Sequence, residues 1–133
     1  MTELVAVSPA DVGKAWPAVK DHLQRIADSA PDLTLADLWR CVRSGDGELW
    51  LAGSAGSVEA VAVTRLREWG SETAAYIVGC SSINRTWLAV QPEFHAALKA
   101  RGASKIIAEG RPGWARIWSG AKVVRHTYEV DLT

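Results

Sequence analysis

Glu109, Cys80, the pair Ser81-Ser82 and three histidines carry the side chains of this chain most able to do chemistry. Glu109 closes a short apolar run, Ile106-Ile107-Ala108, just ahead of Gly110-Arg111-Pro112-Gly113-Trp114. A carboxylate at the end of a strand, where mixed sheets open onto a site, can act as a base toward an amine. The plainer alternative is a solvated carboxylate, paired with Arg111 or with nothing. His22, His95 and His126 are scattered and show no metal-ligand spacing; His22 and His95 are expected on the polar sides of helices, and His126 on a final strand. Cys80 has no neighbouring histidine and reads as a small buried hydrophobe. Ser81-Ser82 lacks the strained Gly-x-Ser-x-Gly elbow, which argues against a serine nucleophile. The two cysteines, Cys41 and Cys80, form no Cys-x-x-Cys pair. No zinc framework and no metal site is therefore predicted, and a reducing compartment is the simple reading.

These residues need elements to position them. Leu4 to Val7 can form a first strand. Ser8-Pro9-Ala10-Asp11 has the signature of a helix start, and Val12, Trp16, Val19, Leu23 and Ile26 follow as one apolar stripe. Thr34-Leu35-Ala36-Asp37 repeats the capping pattern before a shorter stripe of Leu35, Leu38, Trp39 and Val42, which Ser44-Gly45-Asp46-Gly47 ends as a turn. Glu48 to Ala52 and Val58 to Arg67 read as the two arms of a hairpin joined by 53–57. The second arm has an apolar middle, Val61-Ala62-Val63, that predicts cover on both faces. Glu68 to Glu72 is expected to be a polar loop carrying Trp69, and Ala74 to Cys80 a buried strand.

Ser81 to Gly102 reads as mainly helical, with Pro92 predicting a kink or a late start, and Gly102 as its cap. Ser104 to Glu109 is the next strand and Pro112 to Ser119 the next helix. Val123 to Leu132 alternates as a last strand, with Val124, His126, Tyr128 and Val130 on one face. The order β-α-α-β-β-β-α-β-α-β predicts an α/β fold: a mixed, mostly antiparallel sheet of about six strands with helices on both faces, forming a single domain over 1–133. The strands 74–80 and 104–109 are expected to be parallel neighbours joined by the long helical stretch.

Composition narrows the function classes. Hydrophobic residues make up 48% of the 133 residues and charged residues 23%, and Lys plus Arg equals Asp plus Glu at 15 each. That balance is typical of a globular domain and offers no basic field for nucleic acid or an anionic membrane. No run approaches the roughly 18 apolar residues of a membrane span. Met1 to Val7 contains an acid and no long apolar core, so no signal peptide is predicted. Seven tryptophans are many for this length. Core filling is their simplest use, and exposed anchors for a partner are the alternative.

The element order, with Trp16 opening a helix pair, Leu49-Trp50-Leu51 leading into the long hairpin, and Gly110 to Trp114 running through Gly120-Ala121, resembles the GNAT (GCN5-related N-acetyltransferase) fold across essentially the whole chain. Within it, the combination is similar to small GNAT-like proteins of tailed bacteriophages and, distantly, to an internal virion protein of short-tailed coliphages. In the catalytic family the strand matching 74–80 is followed by Arg/Gln-x-x-Gly-x-Gly/Ala, whose amides and following helix N-terminus hold the pyrophosphate of coenzyme A. The matching segment here, Gly79-Cys80-Ser81-Ser82-Ile83-Asn84-Arg85-Thr86, has no glycine pair, although Arg85 supplies a charge. Many members also place a tyrosine in the helix before the final glycine; 114–119 contains none. Tyr76, in the central strand, reads as core packing.

The resemblance implies two functions. In the first, the chain is a degenerate member that acts as a binding module of a phage particle or of its assembly, in the host cytoplasm or the virion, with other phage structural proteins as partners and with Trp69 and Trp114 as contacts. In the second, it is an acyl-CoA-dependent N-acyltransferase with its cleft between strands 74–80 and 104–109, acetyl-CoA as cosubstrate held by Ile77, Gly79, Cys80, Ser82 and Arg85, and Glu109 as base.

Overall fold

The structure is a computed structural model that describes residues 2–54, 56–109, 121–125, 127 and 129–132. Strands β1 (Glu3–Val7), β2 (Glu48–Ser54), β3 (Ser57–Trp69), β4 (Glu72–Ser82) and β5 (Lys105–Ala108) form one sheet in that spatial order. Helices α1 (Val12–Ser29), α2 (Leu35–Ser44) and α3 (Thr86–Ala100) cover it. Neighbouring strands are antiparallel except β4 and β5, which are parallel and joined by α3.

The local chemistry explains the helix ends. Ser8 does not cap α1 directly: a 3-10 turn over Pro9–Asp11 intervenes, and the Ser8 hydroxyl donates to the Asp11 carboxylate at 3.0 Å. At α2 the expected capping box is complete. The Asp37 amide donates to Thr34 Oγ1 at 3.1 Å, the Thr34 amide donates to the Asp37 carboxylate at 3.0 Å, and Gly45 closes the helix at φ +89°.

The apolar stripe of α1 packs as its spacing predicts. Val12, Val19, Leu23 and Ile26 join Leu38 and Val42 of α2 against Leu49, Val61 and Val63 on one face of the sheet. Trp16 and Trp39 meet edge to face at 4.6 Å on this side. The other face carries Trp50, Ala62, Ala75 and Ile77 under Phe94 and Leu98 of α3. Trp50 is fully enclosed, with its indole N–H donated to Thr64 Oγ1 at 2.9 Å and its ring edge to face with Phe94 at 5.2 Å. Arg101, just past α3, lies over the same ring at 4.5 Å and donates two hydrogen bonds to Glu48 of β2, at 2.5 and 2.8 Å. The middle of β3 is covered on both faces, as its double-sided apolar sequence requires.

Three expectations need correction. Glu68 and Trp69 lie in β3 rather than in a loop: Trp69 pairs with Glu72, and only Gly70 and Ser71 turn the chain. Ser81 and Ser82 extend β4, in register with Val61 and Ala60, so α3 begins late, at Thr86. His22 is not on a polar face; it is buried between α1 and the sheet. The expected mixed, mostly antiparallel α/β fold is present; among the described residues the sheet has five strands, and those of 123–132 form no ladder. Val123, Val124, Val130 and Leu132 are exposed. The expected helix over 112–119, Arg111, His126 and Tyr128 lie outside the described residues.

Of the tryptophans, Trp50 is core and Trp16, Trp39, Trp69 and Trp87 are half-buried. Trp69 is partly roofed by the Arg125 guanidinium at 5.1 Å. No described helix is long and apolar enough to cross a membrane.

Candidate functional site

The sheet opens at one place. Strand β5 is in register with β4 for four residues only, from Ala74–Lys105 to Ile77–Ala108. Beyond Ile77, β4 runs on to Ser82 paired with β3 alone. Among the described residues no strand pairs with the other edge of Val78 to Ser82.

A bulge sits where the strands part. Val63 pairs with Gly79 but Thr64 pairs with Ile77, so Val78 is the extra residue. Its insertion turns two consecutive residues toward α1. Val78 packs into the α1 side of the core, and Gly79 lies directly under Ile26, whose side chain occupies the space a Cβ would need. The glycine is thus explained by the close approach of α1 to β4. Beyond it, Cys80 faces α3, and burial pushes its thiol up to about 11, which excludes a standing thiolate.

Ser81 faces the other way, onto His22. The imidazole Nδ1 lies 3.0 Å from an Arg25 guanidinium nitrogen and 3.1 Å from Ser81 Oγ, and Nε2 lies 3.4 Å from the Val58 carbonyl. A guanidinium only donates, so Nδ1 must be the acceptor and Nε2 carries the proton given to Val58. Burial first, and then the charge of Arg25, hold the His22 pKa below its ordinary value and favour this neutral form.

The connection from β4 to α3 departs from ordinary backbone. Asn84 and Arg85 both take left-handed conformations, with φ +55° and +56°, which non-glycine residues seldom adopt. The turn is fastened from two sides: the Ile83 amide donates to the Glu59 carbonyl at 2.9 Å, and Thr86 Oγ1 donates to the Ile83 carbonyl at 2.8 Å. Arg85 is the N-cap residue of α3 and its side chain makes no capping bond. Its guanidinium and the start of α3 offer positive charge. The Glu59 carboxylate, which accepts from Asn84 Nδ2 and Ser54 Oγ, offers a negative one beside it.

A second group lies at the base of the opening. Tyr76, one residue before the last β4–β5 pair, points toward α1 and donates its hydroxyl proton to Glu109 Oε1 at 3.3 Å. The Arg67 guanidinium lies 4.1 Å over the Tyr76 ring. Burial and then the Glu109 charge raise the pKa of the phenol, so it stays protonated. Sequence reading named Glu109 and set Tyr76 aside as core. The signal that joins them is the parallel register, which brings residues 33 apart in the chain side by side.

The other expected site residues are spread along the same strand. Ile77 is buried against α3 and is the last residue in register with β5. Gly79 and Cys80 follow on the open stretch, Ser82 ends it with its hydroxyl on the Ile83 carbonyl, and Arg85 lies exposed at the helix start. The strand therefore lines up Ile77, Gly79, Cys80, Ser82 and Arg85 in order along one opening, with Glu109 at its base.

No family model matches the sequence, and no curated protein matches it in sequence. Solved structures match the fold closely. One is AAC(6')-Iy in complex with the bisubstrate analogue CoA-S-monomethyl-acetylneamine, with a TM-score of 0.74 at 9% identity, covering 100% of this chain and 99% of that one. Another is a predicted acetyltransferase from Clostridium acetobutylicum with acetyl-CoA, with a TM-score of 0.66 at 13% identity over 98% and 96%. A third is a GCN5-related N-acetyltransferase from Ralstonia eutropha JMP134, with a TM-score of 0.65 at 15% identity over 98% and 99%. Likeness at such identities is a statement about architecture: this chain has the fold of the GNAT acetyltransferases.

Proposed function

We propose that the protein is an acyl-CoA-dependent N-acyltransferase. The observation that carries this reading is the parting of β4 from β5 at Ile77, with an edge above it that no described strand pairs and the Tyr76–Glu109 pair at its base. The open edge over 78–82 suits the amide groups of a pantetheine arm, which can pair with it as a short strand would. Structural neighbours that hold acetyl-CoA or a CoA bisubstrate analogue support the same cosubstrate here. A virion or assembly-associated binding role gains no comparable support from these neighbours.

Acyl-CoA supplies an acyl group already activated as a thioester. The chain contributes position and proton transfer. Gly79 and Cys80 follow the bulge and would border the reacting end, and Ser82 and Arg85, farther along, would lie toward the phosphate end. Arg85 and the first α3 amides would hold the pyrophosphate without a glycine cradle, with the Glu59 carboxylate bonded to the adjacent Asn84. Glu109 takes the proton that the attacking amine releases as the new C–N bond forms. Tyr76, kept protonated beside it, returns a proton to the sulfur as the C–S bond breaks.

Thermal melting with acetyl-CoA tests the reading directly. At about 100 times the dissociation constant, binding adds roughly 2.7 kcal/mol of stability, visible as a raised Tm. Glu109→Gln is expected to keep that shift and to slow acyl transfer by about 10²- to 10⁴-fold. A melting curve unmoved by millimolar acetyl-CoA would remove the proposal.

A further inference from the structure

The face of the sheet under α1 and α2 carries more cationic side chains than its carboxylates neutralise. A groove of about 560 Å³ runs along α2, lined among others by Arg40, Arg43, Asp46 and Arg65. Arg40 is committed to Asp37 at 2.7 Å. Arg43 and Arg65, and Arg67 farther along β3, have no carboxylate within ion-pair distance among the described residues. Of the carboxylates on this side, Glu72 is committed to Lys105 at 2.7 Å. Asp37 is held by Arg40 and by the Thr34 amide, and Asp46 sits at the groove. Glu109 lies against Tyr76, whose hydroxyl proton it accepts at 3.3 Å.

Register connects the groove to the base of the opening. Arg65 is the direct cross-strand partner of Tyr76, and Arg67 covers the Tyr76 ring. Cross-strand partners lie about 5 Å apart, and each step of two residues along a strand adds ~7 Å. An acceptor nitrogen placed at Glu109 therefore has guanidinium groups within the length of a small molecule. One pole of this site favours an ammonium, at Glu109. The other favours an anion, which arginine grips with paired donors.

From this arrangement we infer that the acyl acceptor is a small amine that also carries a carboxylate or phosphate, with Arg65 and Arg67 as its anion-binding residues. The inference rests on the acyltransferase reading for the fate of the amine, but not for the binding of the anion. It separates this chain from an enzyme for polycationic amines, whose site would need the opposite charge.

Isothermal titration at low salt tests it with four probes: glutamate, O-phosphoethanolamine, butylamine and spermidine. Glutamate or O-phosphoethanolamine is expected to bind at least about tenfold more tightly than butylamine, and Arg65→Gln to weaken that binding about tenfold. Both sites of substitution are exposed, so Arg65→Gln and Arg67→Gln leave the core intact, and Arg65→Lys is expected to recover only part of the loss. The acetyl-CoA melting shift should be the same in all three variants. The order of the two anionic probes distinguishes a carboxylate from a phosphate. Absence of binding by either anionic amine, equal or tighter binding of spermidine, or affinity indifferent to Arg65→Gln would each overturn the inference. Loss of the acetyl-CoA shift with intact, Arg65-dependent glutamate binding would instead overturn the acyltransferase reading and leave the anion site standing.

Discussion

The two halves of β4 are one strand with two different tasks. From Ala74 to Ile77 it has a neighbour on each side, β3 and β5, and its residues Ala74, Ala75 and Ile77 are buried. From Val78 to Ser82 it keeps β3 alone, carries the bulge, and presents only small or polar side chains after Val78. The first half is held by packing and paired amides, and substitution of its buried residues is a matter of stability; the half-buried Tyr76, hydrogen-bonded to Glu109, is its one residue turned to the opening. The second half is held by α1, through Ile26 over Gly79 and His22 on Ser81, and its other edge pairs with no described strand. The lesson is that a single register shift at Val78 divides scaffold from site within one strand.

Substitutions along the strand put that division to the test. Ile77→Ala removes a buried side chain from the α3 side and is expected to cost about 2–5 kcal/mol of stability, measured by urea unfolding. A loss below 1 kcal/mol would mean that the paired half is not the scaffold described. Gly79→Ala places a methyl group against Ile26 and is expected to cost ~1–3 kcal/mol. Ile26→Ala should rescue part of that cost in the double variant; strictly additive losses would show that α1 does not set the position of the open half. The mildest effect belongs to His22. Its folded pKa lies below its unfolded one, so between the two values the unfolded chain binds more protons than the native one. Stability contributed at neutral pH is therefore lost as pH falls below about 6.5, until the folded pKa is passed. His22→Gln should flatten this part of the pH–stability curve, and an unchanged slope would show that the imidazole is not the group responsible.

Much of the scaffold was legible in the sequence because it is encoded locally. The stripe from Val12 to Ile26, the Thr34–Asp37 box and the doubly apolar Val61-Ala62-Val63 each carry their own period or cap, and each appears where that chemistry puts it. The parallel pairing of β4 with β5 was also foreseeable, since a long helix joining two apolar strands has few other solutions. The misses have a common cause. Ser81-Ser82 looks like a helix start because two hydroxyls commonly precede one, yet pairing with Ala60 and Val61 decides otherwise. His22 looks polar until the position of Ser81 and the Val58 carbonyl is known. Gly79 is named from the sequence only as a strand-end cofactor contact, while the space it leaves is filled by Ile26 on another element. Tyr76 and Glu109 become a pair only through register. In each case the deciding neighbour is far away in sequence, and no window of residues contains it.

The clasp at the far end of α3 bears on how a ligand would enter. Arg101 grips Glu48 with two bonds and lies flat on Trp50, and at the opposite end Thr86 is tied to Ile83. A crossover moored at both ends has little freedom to swing toward or away from the sheet. The gap between the parted strands is accordingly set in the folded protein itself, and an incoming thioester would meet a slot of fixed width, with little ordering entropy left to spend on closing it.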